Sequence, residues 1–229
     1  MLRSTGIAGR PESYFRLPDE PKWVDRWRIA RGPDGSFDYR DYVQAAIRDG
    51  STENGVFGAR VMWGTMDDIV TNLSTVYRDL AGADLELLTR AFGRTRFVHL
   101  CREDAVAQGV SWARAEQTGY WHHGDTNANE SHFDLDRIQG FVEMIDEHNA
   151  AWRNWFSSFD IRPHVVRYEE LVADMVGVTI GVLDFLGLKL PQDRAITPGH
   201  GRQADEINDE WIARYRATAG SPTVVSENG

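Results

Sequence analysis

The segment from Arg96 to Gly119, RFVHLCREDAVAQGVSWARAEQTG, constrains the fold of this chain most. Phe97 to Cys101 is a short apolar run that reads as a buried strand ending on Arg102. Glu103 and Asp104 then open a helix of about four turns, which Gly119 closes as a C-cap. On that helix Asp104, Gln108, Ser111 and Ala115 recur three or four apart, so Gln108 and Ser111 share a face. An arginine at the carboxyl end of a strand sits where open α/β sheets bind anionic ligands. Its guanidinium can offer a phosphate two donors at once. Two readings stay open on spacing alone. Arg102 and Ser111 hold an anion, or Arg102 pairs with Glu103 or Asp104 while Ser111 bonds to the preceding helical turn.

The rest of the chain repeats the strand-then-helix pattern. Residues 1–6 read as the last turn of a helix closed by Gly6. An irregular, aromatic-rich stretch follows, with a helix around Trp23 to Ala30 and another over residues 38–48. Val56 to Trp63 reads as a strand, with Thr65 as N-cap of a helix carrying Ile69, Val70, Leu73, Val76, Tyr77 and Leu80. The stripe Ile138, Phe141, Val142, Ile145, Trp152, Trp155, Phe156 is the clearest helix. Pro163 to Tyr168 reads as a strand feeding a helix from Glu169 to near Gly187, and a short helix follows over Glu210 to Ala217. The expectation is an α/β fold: a three-layer, mainly parallel sheet with helices on both faces, forming one domain over residues 1–220 and a disordered tail over 221–229. Only three strands can be counted, few for 229 residues.

A formal charge of -10 argues against a nucleic-acid or anionic-membrane partner but not against a small anion met by a few local arginines. The single Cys101 excludes an internal disulfide. No apolar run approaches a membrane span and no signal-peptide pattern opens the chain, so a cytoplasmic location is expected. The pair His122-His123 lies in a polar stretch without metal-ligand spacing, and no metal is expected.

Five segments in order resemble one family: TGIAGRPESYF (Thr5 to Phe15), GVFGARVMW (Gly55 to Trp63), FVHLCREDAVAQGVSWARAEQT (Phe97 to Thr118), WRNWF (Trp152 to Phe156) and RQADEINDEWIARYR (Arg202 to Arg216). The chain resembles the bacterial carbohydrate sulfotransferases typified by trehalose 2-sulfotransferase. The resemblance implies a P-loop-like sulfotransferase fold and sulfuryl transfer from 3′-phosphoadenosine 5′-phosphosulfate (PAPS) to a carbohydrate or glycolipid hydroxyl. It assigns Arg102 and Ser111 to the donor's 3′-phosphate, with Gln108 beside them and the Arg202-Gln203 loop closing over the nucleotide. It assigns the acceptor to Arg10, Pro11, Glu12, Ser13, Tyr14, Phe15 and Arg16, with Trp23 as a downstream aromatic of the same pocket. A homodimer would be in keeping with it.

Two departures from the family accompany the match. Family members open with a strand, a Ser-, Gly- and Arg-rich loop that cradles the 5′-phosphosulfate, and a helix. Here Met1-Leu2-Arg3 stands where that helix should be ending, so the expectation is an N-terminally truncated fold lacking about 20–25 residues. Such a polypeptide is expected to be a poor catalyst, because that loop stabilises developing charge. A reading frame begun at an internal methionine accounts for this better than a degenerate relative that only binds nucleotide or sugar. The second departure is local. The family's glutamate base precedes an aromatic pair, a place held here by Ser13, and Glu12 one residue earlier is the candidate base. A salt bridge to Arg10 or Arg16 is its alternative role.

Overall fold

The computed structural model describes residues 1–119, 130–198 and 206–219. The tail over 221–229, the loop bearing Arg202 and Gln203, and the His122-His123 pair lie outside the described residues. Contacts divide the chain into two compact units, one holding residues 1–100, 154–166 and 170–199, the other 101–153, 167–169 and 200–229.

The first unit opens with α1 (Leu2–Thr5), which ends at Gly6 in the left-handed region at φ 67°. Its helices α2 (Glu20–Trp27), α3 (Tyr39–Gly50), α4 (Trp63–Val76) and α5 (Asp84–Phe92) follow in chain order. Asp38 caps α3 by accepting from the Arg40 N–H at 2.8 Å. The core is largely aromatic: Tyr14, Phe15 and Tyr42 are almost wholly buried. Ring centroids of Tyr14 and Trp23, Trp23 and Trp27, and Trp27 and Tyr42 are each 5.1 Å apart.

The strands β1 (Val98–Cys101) and β2 (His164–Arg167) form a small parallel sheet, and the His164 N–H donates to the Phe97 carbonyl at 2.9 Å. The class is α/β with helix dominant. Three sequence expectations are corrected here. Val98 and Leu100 are exposed, so β1 alternates rather than being buried on both faces. Val56 to Trp63 is not a strand: among the described residues Phe57 bridges only to Ser51 and Ala59 only to Glu12, and Trp63 already begins α4. Close backbone packing explains the second difference. Gly9 sits at φ +75°, and a Cβ there would lie 2.3 Å from the Gly58 nitrogen, so the two segments touch at points rather than along a ladder. Met62, not Thr65, is the N-cap of α4.

In the second unit, α6 (Ala105–Thr118) runs from Asp104 to Gly119 as expected, with Gly119 left-handed at φ 68°. α7 (Leu135–Ser158) runs from this unit into the first. Gly109 lets α7 approach α6, since a Cβ there would meet Val142 Cγ2 at 2.9 Å. Val110, Ala113, Ile138, Phe141, Trp211 and Tyr215 form the core between α6, α7 and α10 (Glu206–Ala219). α10 starts four residues before the expected Glu210. The helix expected over Glu169 to Gly187 is two, α8 (Tyr168–Ala173) and α9 (Met175–Leu186), because Asp174 accepts from the Gly177 N–H at 2.8 Å and caps the second. Among the described residues no helix is long and apolar enough to cross a membrane, and no three His, Cys, Asp or Glu side chains are grouped to hold a metal.

Candidate functional site

In the second unit, Arg102 directly follows β1 and Tyr168 directly follows β2. Neighbouring parallel strands bring their carboxyl ends together, so the Arg102 guanidinium lies over the Tyr168 ring, 4.7 Å from its centroid. Glu169 Oε1 lies 3.9 Å from Arg102 Nε, beyond hydrogen-bond reach. That Nε is buried and has no hydrogen-bond partner among the described residues. A buried charged donor left unsatisfied costs on the order of 1–3 kcal/mol or more, which an anion would recover. Of the two carboxylates expected as alternative partners, Glu103 bonds Arg167 at 2.9 Å and Asp104 bonds Arg216 at 2.8 Å, while Arg102 acts on Asp104 only through its charge.

Asp104 fixes the start of α6. Its carboxylate accepts from the Ala107 N–H at 2.9 Å. Burial opposes its charge, but that hydrogen bond, the Arg216 partner and the nearby Arg102 outweigh it and hold the carboxyl below its usual range. Gln108 and Ser111 are half-buried and lie one turn apart on α6. Unlike Thr118, whose hydroxyl donates to the Arg114 carbonyl at 2.8 Å, Ser111 makes no such bond to the preceding turn among the described residues. The buried guanidinium donor after β1, and the amide and the hydroxyl on α6, are each of a type that can bond a phosphate oxygen. Tyr168 was missed from the sequence, because its place beside Arg102 depends on β2 pairing with β1. Arg114 turns to Asn208, with its nitrogen 2.5 Å from Oδ1.

In the first unit, the segment Arg10 to Arg16 has a polar rim on an aromatic base. Glu12 pairs with Arg3 at 2.6 Å, rather than with Arg10 or Arg16. Arg10 donates to the Asp49 carbonyl at 3.2 Å, and Arg16 pairs with Asp19 at 3.3 Å. Ser13 Oγ accepts from Arg60 Nε at 3.0 Å. Pro11 is half-buried and packs near Gly58. Tyr14 and Phe15 are 1 % exposed, and Trp23 is 6 % exposed, so their rings shape the segment from beneath. The Tyr14 hydroxyl is pushed up to about 12, first by burial and then by the charges of Asp49 and Glu12, so it stays a donor, bonding the Arg10 carbonyl at 2.8 Å.

The family model for Stf0 sulphotransferase matches residues 1–218. The chain belongs to the Stf0 sulphotransferase family. Its relatives include the trehalose 2-sulfotransferase of Mycobacterium tuberculosis, 30% identical over 97% of this chain and 91% of that protein. The trehalose 2-sulfotransferase of Mycolicibacterium smegmatis is 29% identical over 95% of this chain and 88% of its own. Within this Stf0 sulphotransferase, both segments described above fall inside the matched residues.

Proposed function

We propose that this sulfotransferase moves a sulfuryl group from PAPS to a hydroxyl of a carbohydrate or glycolipid, within the family's three-layer P-loop-like architecture and in the cytoplasm. The observation that carries the reading is the buried Arg102 Nε at the end of β1, which has no hydrogen-bond partner among the described residues, in a chain about 30% identical to two trehalose 2-sulfotransferases. When bound, PAPS supplies the activated sulfuryl group. Arg102 and Ser111 hold its 3′-phosphate and Gln108 assists, with Arg202 and Gln203, which lie outside the described residues, as the further nucleotide-binding pair that the resemblance implies. Arg10, Pro11, Ser13 and Arg16 hold the acceptor over the rings of Tyr14, Phe15 and Trp23. Glu12 takes the proton from the acceptor hydroxyl, its carboxylate kept in place by Arg3.

A second reading, a relic that binds nucleotide or sugar without transfer, is favoured by Ser13 standing where the resemblance places the family's glutamate. Radiolabelled PAPS, incubated with the protein and with trehalose or a glycolipid, separates the two. Label appearing in the sugar supports the enzyme, and its loss in Glu12→Gln supports the base. Retention of bisphosphate binding with no labelled sugar supports the relic. A homodimer is the proposed assembly, read out by light scattering.

A further inference from the structure

Glu20 opens α2, yet only 8 % of it is exposed. Its Oε1 is sealed from solvent without a hydrogen-bond partner among the described residues. The charge acting on Glu20 is that of Asp68 of α4; around them stand the Tyr39 and Tyr42 hydroxyls of α3, the Asn72 side chain of α4 beside Tyr39, and Asp19 of the turn before α2, which acts on Tyr42. A carboxylate buried beside a second carboxylate is costly, and it avoids the cost by keeping its proton. Burial first, and Asp68 second, push the Glu20 carboxyl up to about 7.

This cluster lies where two helices clamp the segment Arg10 to Arg16. Trp23, one turn along α2 from Glu20, donates its indole N–H to the Ser13 carbonyl at 3.2 Å. Tyr42 of α3 donates its hydroxyl to the next carbonyl, that of Tyr14. We propose that Glu20 is a positioning residue for the acceptor segment: protonated, it lets α2 and α3 close together on the Ser13 and Tyr14 carbonyls, and ionised, it loosens that clamp. The functional meaning rests on reading Arg10 to Arg16 as the acceptor segment, whereas the physical test does not.

The test is hydrogen exchange of the amides in residues 10–27, measured from pH 6 to pH 8.5 and corrected for intrinsic exchange. In the wild-type protein the opening constant rises about tenfold over that range and levels off above about pH 7.5. Glu20→Gln, which mimics the neutral acid, abolishes the rise. A flat wild-type profile, or a Glu20→Gln profile that rises in parallel with it, overturns the proposal. If the variant does not fold, the wild-type profile decides alone: a rise with a plateau supports the clamp and a flat profile overturns it. In a transfer assay, KM for trehalose follows the same pH profile while kcat does not. Failure to use trehalose at every pH, with the exchange profile intact, counts against the acceptor reading and not against the clamp.

Discussion

Replacing Glu20 with glutamine should change how global stability depends on pH. Below about pH 4.5 the carboxyl is protonated in folded and unfolded chains alike, and it contributes no pH dependence. As pH rises, the unfolded chain sheds its proton first, because the folded group is raised from 4.5 to about 7. Unfolding therefore gains over folding until the folded group ionises too. At about 1.4 kcal/mol per pH unit, the full cost is about 3 kcal/mol, and about 2.5 kcal/mol of it falls between pH 5 and pH 8.5. Against a total stability of about 5–15 kcal/mol, that is large. Urea unfolding of both proteins at the two pH values isolates the effect, since every other titrating group cancels in the difference. The wild type should lose about 2.5 kcal/mol relative to Glu20→Gln on going to pH 8.5. A difference between the two proteins that stays within about 0.5 kcal/mol at both pH values refutes the reasoning.

Four further outcomes are expected. Tyr42→Phe removes the donor from the buried Tyr14 carbonyl and should cost about 1–3 kcal/mol in chemical unfolding. Gly9→Ala places a methyl 2.3 Å from the Gly58 nitrogen at a φ of +75°, so it should lower Tm by well over 5 °C in calorimetry, and a neutral result would deny the close approach. Asp104→Ala removes the cap of α6 and should cost about 0.5–2 kcal/mol at pH 7. Because that carboxyl is held low, the loss should shrink as pH falls through its folded value, the reverse of the Glu20 profile. Leu73→Ala empties a fully buried site and should cost about 2–5 kcal/mol, with a far smaller loss showing that α4 can collapse onto the space.

The helices were legible where a stripe and a cap coincide. Asp104 and Gly119 bound α6, and Ile138 to Phe156 mark α7, because periodicity and caps are local properties. Val56 to Trp63 misled because its alternation is that of a strand, while the close approach of Gly9 and Gly58 is a tertiary fact invisible in sequence. Asp174 was readable as a cap, yet the apolar run around it reads equally well as one helix. At the site, the position of Arg102 followed from the strand end alone. Its seat on Tyr168 requires knowing that β2 lies beside β1, and that the ion pair of Glu12 is with Arg3 requires knowing where α1 packs. Glu20 gave no signal at all, since a glutamate beside a proline at a helix start is ordinarily solvated.

Titration calorimetry with adenosine 3′,5′-bisphosphate on the wild type and Arg102→Ala tests the sulfuryl-donor reading most directly, because this ligand carries the 3′-phosphate without the transferred group. Saturable one-to-one binding that weakens by about 10- to 150-fold in a folded Arg102→Ala variant is the expected result, as a charged hydrogen bond of about 1.5–3 kcal/mol is lost. Equal affinity in the two proteins, or no binding by the wild type, contradicts it.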